Sequence, residues 1–302
     1  MNDLDRGTDR QDRAVRHVRT GSFVTRFLEA GDEHPDTVLL LHDGAWGGSS
    51  DVSWSRCIPL LAQRYRVIAP DFLGFGGSDK VSFFDRSPYE PRIQQVEDLL
   101  DALGITEPVH VVGTSFGGSV ALRLLAGPPD RSVRARSVTS IGGSGGPWKT
   151  AVMLDQLGRW DGSREDLARV LRFLMAEEDG FDAQLAARHA TATQPGHYRA
   201  VASAALPVPE PLKQQTADPW PVGLRGAQAP TMLVAGTHDE LFERDWPEHI
   251  AEELPGAVIE RIGSRHSPNL DRPQEVVDVL LEHFRRAGRC EETESARLST
   301  PR

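Results

Sequence analysis

Val109-His110-Val111-Val112-Gly113-Thr114-Ser115-Phe116-Gly117-Gly118 joins a short β-branched run to a segment, Gly118–Leu125, that reads as helix. A serine between glycines, where strand gives way to helix, describes a tight turn that lifts its hydroxyl above a sheet edge. The backbone there takes strained angles, and the flanking glycines leave room for the chains to pass. The turn also sets the Phe116 N–H at a helix N-terminus, facing any negative charge that develops nearby. The spacing G-x-S-x-G is common by itself; its place between strand and helix gives it weight. A serine hydroxyl is a poor nucleophile without a base beside it, so the rest of the chain must supply one.

Two later turns fit that need. Gly236-Thr237-His238-Asp239 follows the run Thr231–Ala235, and Gly263-Ser264-Arg265-His266 follows Val258–Ile262. Strand ends of one parallel sheet share an edge, so Ser115, Asp239 and His266 can converge despite their separation. The order Ser, Asp, His is the order expected when a nucleophile turn of this kind leads. His238 and Glu240 are rivals at the acid turn, and Asp239 is preferred. A fourth turn, His42-Asp43-Gly44-Ala45-Trp46-Gly47-Gly48, follows the run Thr37–His42. Its glycines let backbone N–H groups approach a substrate oxygen. Gly44 is the expected second oxyanion donor beside Phe116, and His42 and Trp46 are expected to contact substrate.

Around these turns, short apolar runs alternate with helical patterns. Arg66–Ala69 and Ser137–Ile141 complete the set of strands, and most runs carry apolar residues in succession, as strands buried on both faces do. Pro91–Leu103 has helical spacing, and Pro273–Arg286 opens with Asp271 as a plausible N-cap and Pro273 in the first turn. The alternation predicts an α/β fold with a mostly parallel central sheet flanked by helices. Val15–Val18 and Phe23–Leu28 are expected to form an antiparallel hairpin at one edge.

Between about Gly146 and Trp220 the alternation stops. Helical patterns at Arg164–Ala176 and Phe181–Ala192 are followed by proline-rich sequence containing Pro207, Pro209 and Pro211. Residues 146–220 are therefore expected to form a helical lid inserted into a core made of 15–145 and 221–287. Trp160, Leu171, Phe173, Leu174, Met175 and Phe181 would give it an apolar face, turned to an acyl or aryl group or simply packed on the body. The polar stretches 1–14 and 288–302 are expected to be flexible tails.

The chain of 302 residues carries a formal net charge of −10, which argues against a nucleic-acid footprint. No apolar run approaches the ~20 residues of a membrane span, and the charged stretch Met1–Arg19 lacks the apolar centre of a signal peptide. Cys57 and Cys290, one in the body and one in the polar tail, read as unrelated thiols of a reducing cytoplasm. No Cys/His cluster has zinc spacing, so neither a metal nor an organic cofactor is implied. The expected partner is a small-molecule substrate, without nucleic acid or membrane; self-association into a homo-oligomer is left open.

The four turns together resemble the α/β-hydrolase superfamily across roughly residues 20–287. Ala69-Pro70-Asp71-Phe72-Leu73-Gly74-Phe75-Gly76-Gly77-Ser78-Asp79 matches its D-x-x-G-x-G-x-S turn. Serine at the nucleophile turn argues against the dehalogenase and epoxide-hydrolase branches, which look for aspartate there. The glycine-rich loop, the phrase Tyr65–Asp71 and the lid look similar to the carbon–carbon bond hydrolases that act on ring-fission products of aromatic catabolism. That resemblance implies hydrolysis through an acyl-enzyme and a lid arginine that binds the substrate carboxylate. Arg188, in Leu185–Gly196 (LAARHATATQPG), stands in the matching place. Three departures accompany it: Asp43 replaces the small residue usual after the loop histidine, Thr114 stands where asparagine is frequent, and Ser267 where tryptophan is. A carboxylate at position 43 would repel an anionic substrate unless it points away. A carboxylesterase or lactonase using the same residues is the alternative enzyme. A slow-turnover ligand-binding receptor is the alternative of another class.

Overall fold

In the computed structural model, residues 13–83, 86–128, 133–178, 180–210, 218 and 220–298 are described. The chain runs β1 (Ala14–Thr20), β2 (Phe23–Ala30), β3 (Thr37–Leu41), α1 (Ser50–Trp54), α2 (Ile58–Leu61), β4 (Arg66–Pro70), α3 (Glu90–Ala102), β5 (Val109–Thr114), α4 (Phe116–Leu125) and β6 (Ala135–Ile141). Then come α5 (Ala151–Gln156), α6 (Arg164–Leu174), α7 (Phe181–Ala192), α8 (His197–Ala202), β7 (Thr231–Gly236), α9 (Trp246–Glu253), β8 (Val258–Ile262), α10 (Pro268–Asp271) and α11 (Pro273–Leu298).

The strands form one eight-stranded sheet in the order β1-β2-β4-β3-β5-β6-β7-β8. β1 and β2 make the expected hairpin, β2 joins β4 antiparallel, and the remaining pairs are parallel. Successive apolar residues explain why both faces are covered. Leu39 and Leu41 enter a core that also holds Ile68, Val96, Leu99, Val111 and Val120. Val38 and Leu40 point the other way, among Trp54, Ile58, Leu61, Val276, Leu280 and Phe284. This period of two, with both sides buried, is the signature of a sheet sandwiched between helices.

A helical segment containing α5 to α8 lies between β6 and β7. Its amphipathic α6 is capped by Ser163, whose hydroxyl accepts from the Asp166 N–H, and buries Leu167, Val170, Leu171 and Leu174. Trp160, Leu171, Leu174, Met175 and Phe181 are all buried in the core, so these apolar residues mainly pack the insertion down. Phe173 is partly buried.

Near the C-terminus the last helix runs further than the expected Pro273–Arg286. β1 begins at Ala14, and α11 continues to Leu298, past the last apolar turn. Residues 288–298 are thus helical, as the helix-favouring Arg, Glu and Ala of that stretch allow, and Arg286 pairs with Glu282 one turn back. Cys57 is a buried free thiol; the Cys290 side chain, residues 1–12 and residues 299–302 lie outside the description. Among the described residues, no helix is long and apolar enough to cross a membrane.

Candidate active site

The sheet order places β3, β5, β6, β7 and β8 side by side, so the loops leaving their carboxyl ends meet along one edge. Ser115 leaves β5 with φ 54° and ψ −114°, a strained backbone for a residue with a Cβ. Its N–H is held by the Ile141 carbonyl at 2.7 Å. A methyl group at Gly113 would lie 2.1 Å from the Gly117 oxygen, and one at Gly117 would lie 2.3 Å from the Leu41 oxygen. The glycines of the motif are therefore required by close approach of the chain to itself and to β3.

His266 is fully buried, and its Nε2 lies 2.9 Å from the Ser115 hydroxyl. Its Nδ1 lies 2.8 Å from Asp239 Oδ2. Asp239 Oδ1 accepts the Leu241 N–H at 2.8 Å, which fixes the carboxylate's orientation. The Phe242 ring stacks on the imidazole at a centroid distance of 5.4 Å and 12° between planes. Such a chain of hydrogen bonds can accept the serine proton on the histidine and keep the resulting imidazolium beside a carboxylate. The rivals are engaged elsewhere: the Glu240 carboxylate meets Arg265 at 3.0 Å, and the exposed His238 ring lies 3.3 Å from the Thr237 hydroxyl. Ser115 is partly exposed, so its hydroxyl is reachable.

Gly44 sits against the nucleophile turn, where an added methyl would come 2.8 Å from Phe116 Cβ. In its loop the Ala45 N–H is held by Asp43 Oδ1 and the Gly47 N–H by His197 Nε2. The Gly48 N–H is held by the Ala45 carbonyl, and the Gly44 N–H has no acceptor among the described residues. The Gly44 backbone thus packs against Phe116, the residue that follows the serine.

The three residues expected to contact substrate, His42, Trp46 and Arg188, have their polar groups engaged within the protein. The His42 ring donates from Nδ1 to the Asp43 carbonyl at 2.6 Å and accepts at Nε2 from the Phe72 N–H at 2.8 Å. Both nitrogens are engaged and the ring is completely buried, so His42 braces the loop against the Asp71 turn. Burial pushes its pKa down, against the pull of Asp71 and Asp43. Trp46 donates from Nε1 to the Leu157 carbonyl at 3.0 Å and lies against Trp160 and Tyr198, so it fastens the insertion.

Arg188 does not present its fork to the cleft. Its two terminal nitrogens hold the two Asp43 oxygens at 3.0 and 2.9 Å, and one also donates to the Trp46 carbonyl at 3.2 Å. The two side chains are 0% and 2% exposed. A carboxylate at position 43, unreadable as a partner from sequence, captures the arginine, so that each buries its charge against the other. Burial works to raise the Asp43 pKa, but Arg188 and the Ser53 hydroxyl outweigh it and hold the group well below the usual carboxylate range.

Other positions that hold the site were missed. Thr114 donates to Asn269, whose amide donates to the Ser53 carbonyl, tying the end of β5 to α1 and α10. The His266 and Ser267 N–H groups donate to the Phe173 and Leu174 carbonyls at the end of α6. His197 accepts the Gly47 N–H from α8, and burial pushes its pKa down to about 4. None of these carries a local motif.

Comparison with known proteins agrees with this architecture. Over 278 residues the chain is 27% identical to the 2-hydroxy-6-oxo-6-(2'-aminophenyl)hexa-2,4-dienoic acid hydrolase of Metapseudomonas resinovorans, covering 90% of this chain and 91% of the relative. It is 27% identical over 258 residues to the 2-hydroxymuconate semialdehyde hydrolase of Pseudomonas sp. strain CF600, covering 82% and 85% of the two chains. Among solved structures it resembles a serine hydrolase involved in carbazole degradation, at TM-score 0.74 and 25% identity over 90% of this chain and 98% of the other. It shares the fold of the 2-hydroxy-6-oxo-6-phenylhexa-2,4-dienoate hydrolase of Rhodococcus sp. strain RHA1, at TM-score 0.77 and 22% identity over 91% and 99%. The model of the alpha/beta hydrolase family matches residues 38–279, and with the fold and the loop geometry above, the chain belongs to that family.

Proposed function

We propose that this hydrolase works through an acyl-enzyme on Ser115 and cleaves a carbon–carbon bond in a vinylogous diketo acid of the ring-fission type. The observation that carries the first half is the Ser115–His266–Asp239 relay, at 2.9 and 2.8 Å. His266 takes the serine proton as Oγ attacks the substrate carbonyl. The Gly44 and Phe116 N–H groups hold the oxyanion, each such donor contributing about 3–4 kcal/mol to transition-state stabilisation. Asp239 keeps His266 in the tautomer with its proton on Nδ1 and stabilises the charged form. In a diketo acid the carbon leaving group must first be protonated to a ketone, a second acid–base task for His266. The bond from carbonyl carbon to leaving carbon then breaks with its electron pair going to the leaving carbon as an enolate, which takes the proton held by His266; the acyl group stays on Oγ until a water deprotonated by His266 releases it as an acid. The substrate class is supported by the names of the relatives, which are dienoate and semialdehyde hydrolases. Residues 146–220 would act as the lid over this chemistry.

An ester or lactone substrate is the second reading. The Arg188–Asp43 pair favours it, since a neutral substrate needs no arginine anchor. A paired assay decides between them, using a yellow ring-fission dienoate and a short p-nitrophenyl ester with wild type and Ser115→Ala. Dienoate bleaching that far outpaces ester cleavage and disappears in the variant supports carbon–carbon hydrolysis. Ester cleavage alone moves the protein to the second reading, and ester or dienoate turnover that survives Ser115→Ala refutes both.

A further inference from the structure

The loop Asp43–Gly47 is gripped from above by the insertion. Arg188 of α7 holds the Asp43 carboxylate at both oxygens and the Trp46 carbonyl. His197 of α8 accepts the Gly47 N–H at 3.0 Å, and the Leu157 carbonyl accepts from the Trp46 indole at 3.0 Å. The fit is also steric: Gly47 has φ +73°, and a methyl there would sit 2.1 Å from the Arg188 carbonyl oxygen. Asp43 in turn fixes the loop from within, accepting from the Ala45 N–H at 2.9 Å and the Ser53 hydroxyl at 2.7 Å. Gly44 lies between residues held in this way, and its α-carbon faces the Phe116 side chain so closely that a methyl there would come 2.8 Å from Phe116 Cβ.

A substrate carboxylate could take the arginine only by displacing Asp43. That exchange would leave a buried, unpaired carboxylate adjacent to the place where the oxyanion forms, which is unfavourable twice over. We propose instead that Arg188 is a positioning residue, acting through Asp43 to set the Gly44 N–H, so that the oxyanion hole is assembled by the docked insertion. This rests on the reading that Ser115 is the nucleophile and Gly44 an oxyanion donor. It changes the part assigned to Arg188, from recognising one class of substrate to supporting the chemical step for all of them.

The two roles separate in steady-state kinetics with a neutral and an anionic probe, p-nitrophenyl acetate and a ring-fission dienoate. Positioning predicts that Arg188→Gln lowers kcat for the neutral ester at least tenfold, toward the hundredfold loss typical of removing an oxyanion donor, with KM within about twofold. Asp43→Asn gives the same pattern. The double variant Asp43→Asn/Arg188→Gln, which buries no unpaired charge, recovers severalfold over either single variant. Should Arg188→Gln fail to fold by thermal melting, Arg188→Lys keeps the charge but loses the bidentate grip, and must still lower ester kcat. The proposal is overturned if ester kcat stays within twofold of wild type in the folded arginine variant while KM for the dienoate alone rises. Ser115→Ala keeps the layers apart. Ester turnover that survives it refutes the acyl-enzyme reading and this inference together, whereas turnover lost in Ser115→Ala but intact in Arg188→Gln refutes the inference alone.

Discussion

Acidification from about pH 7 to about pH 5 is expected to destabilise this protein strongly, through histidines buried without charge. His110 lies in the sheet, its Nδ1 2.7 Å from the Ser137 hydroxyl and its ring stacked on Phe284 at 4.0 Å. Burial pushes its pKa down to about 3 from an ordinary 6.5, and that of His197 to about 4. The folded state therefore keeps both neutral while the unfolded chain takes up protons below 6.5. Their contribution to stability is fully present above that value and is lost as pH falls toward the folded pKa. By linkage, each costs roughly 2 kcal/mol at about pH 5, and the two together about 4 kcal/mol. That is a large share of the 5–15 kcal/mol typical of a native domain. His42 and His283, both lowered chiefly by burial, act in the same direction; Asp271, raised chiefly by burial, opposes them. The measurement is urea unfolding followed by tryptophan fluorescence at the two pH values and constant ionic strength. His110→Asn, which cannot titrate, should remove roughly half of the difference. An unfolding free energy that changes by less than about 1 kcal/mol in wild type would refute the reasoning, because it would mean these rings are not held neutral.

Further outcomes are open to direct measurement. Asp239→Asn should leave the fold intact by circular dichroism and lower kcat by about 10⁴-fold, since the histidine loses the partner that fixes its tautomer; a loss below tenfold would count against the relay. Asn269→Ala removes the bonds to Thr114 and Ser53, and should cost about 2–4 kcal/mol in denaturant titration. Gly47→Ala forces a methyl against the Arg188 carbonyl, so the folded variant should show faster proteolysis within the insertion; an unchanged digestion rate would contradict the grip described above. Leu40→Ala, at a fully buried position of the central sheet, should cost about 2–5 kcal/mol.

What could be read in the sequence was what is local. The elbow at Ser115 announces itself because strand, tight turn and helix are adjacent, and the same holds for Asp239 and His266 at the ends of short β-branched runs. Parallel pairing then brought those turns to one edge without further information. The stretch 146–220 can be singled out for the same kind of reason: the alternation of strand and helix is interrupted between β6, which ends at Ile141, and β7, which begins at Thr231. Arg188 shows the limit. It was placed on the right helix, but its partner stands 145 residues away, and the choice between substrate and Asp43 depends on packing that no periodicity reports. The partners of His42 are equally illegible, since one of its ring nitrogens is satisfied by a backbone group of the Asp71 turn, and any buried polar residue in that loop would look the same. The end of α11 is not legible because Glu, Arg and Ala can continue a helix without any apolar stripe to mark it.

The buried pair also constrains how this protein can change over generations. Asp43 belongs to the body and Arg188 to the insertion, so a change at either leaves the other's charge buried without its counterpart. A chimera that receives a relative's insertion, with position 43 left as it is, inherits an acid whose counterpart has been exchanged along with the helix. Recombination would succeed only when both segments travel together, which makes this a module of two pieces joined by charge.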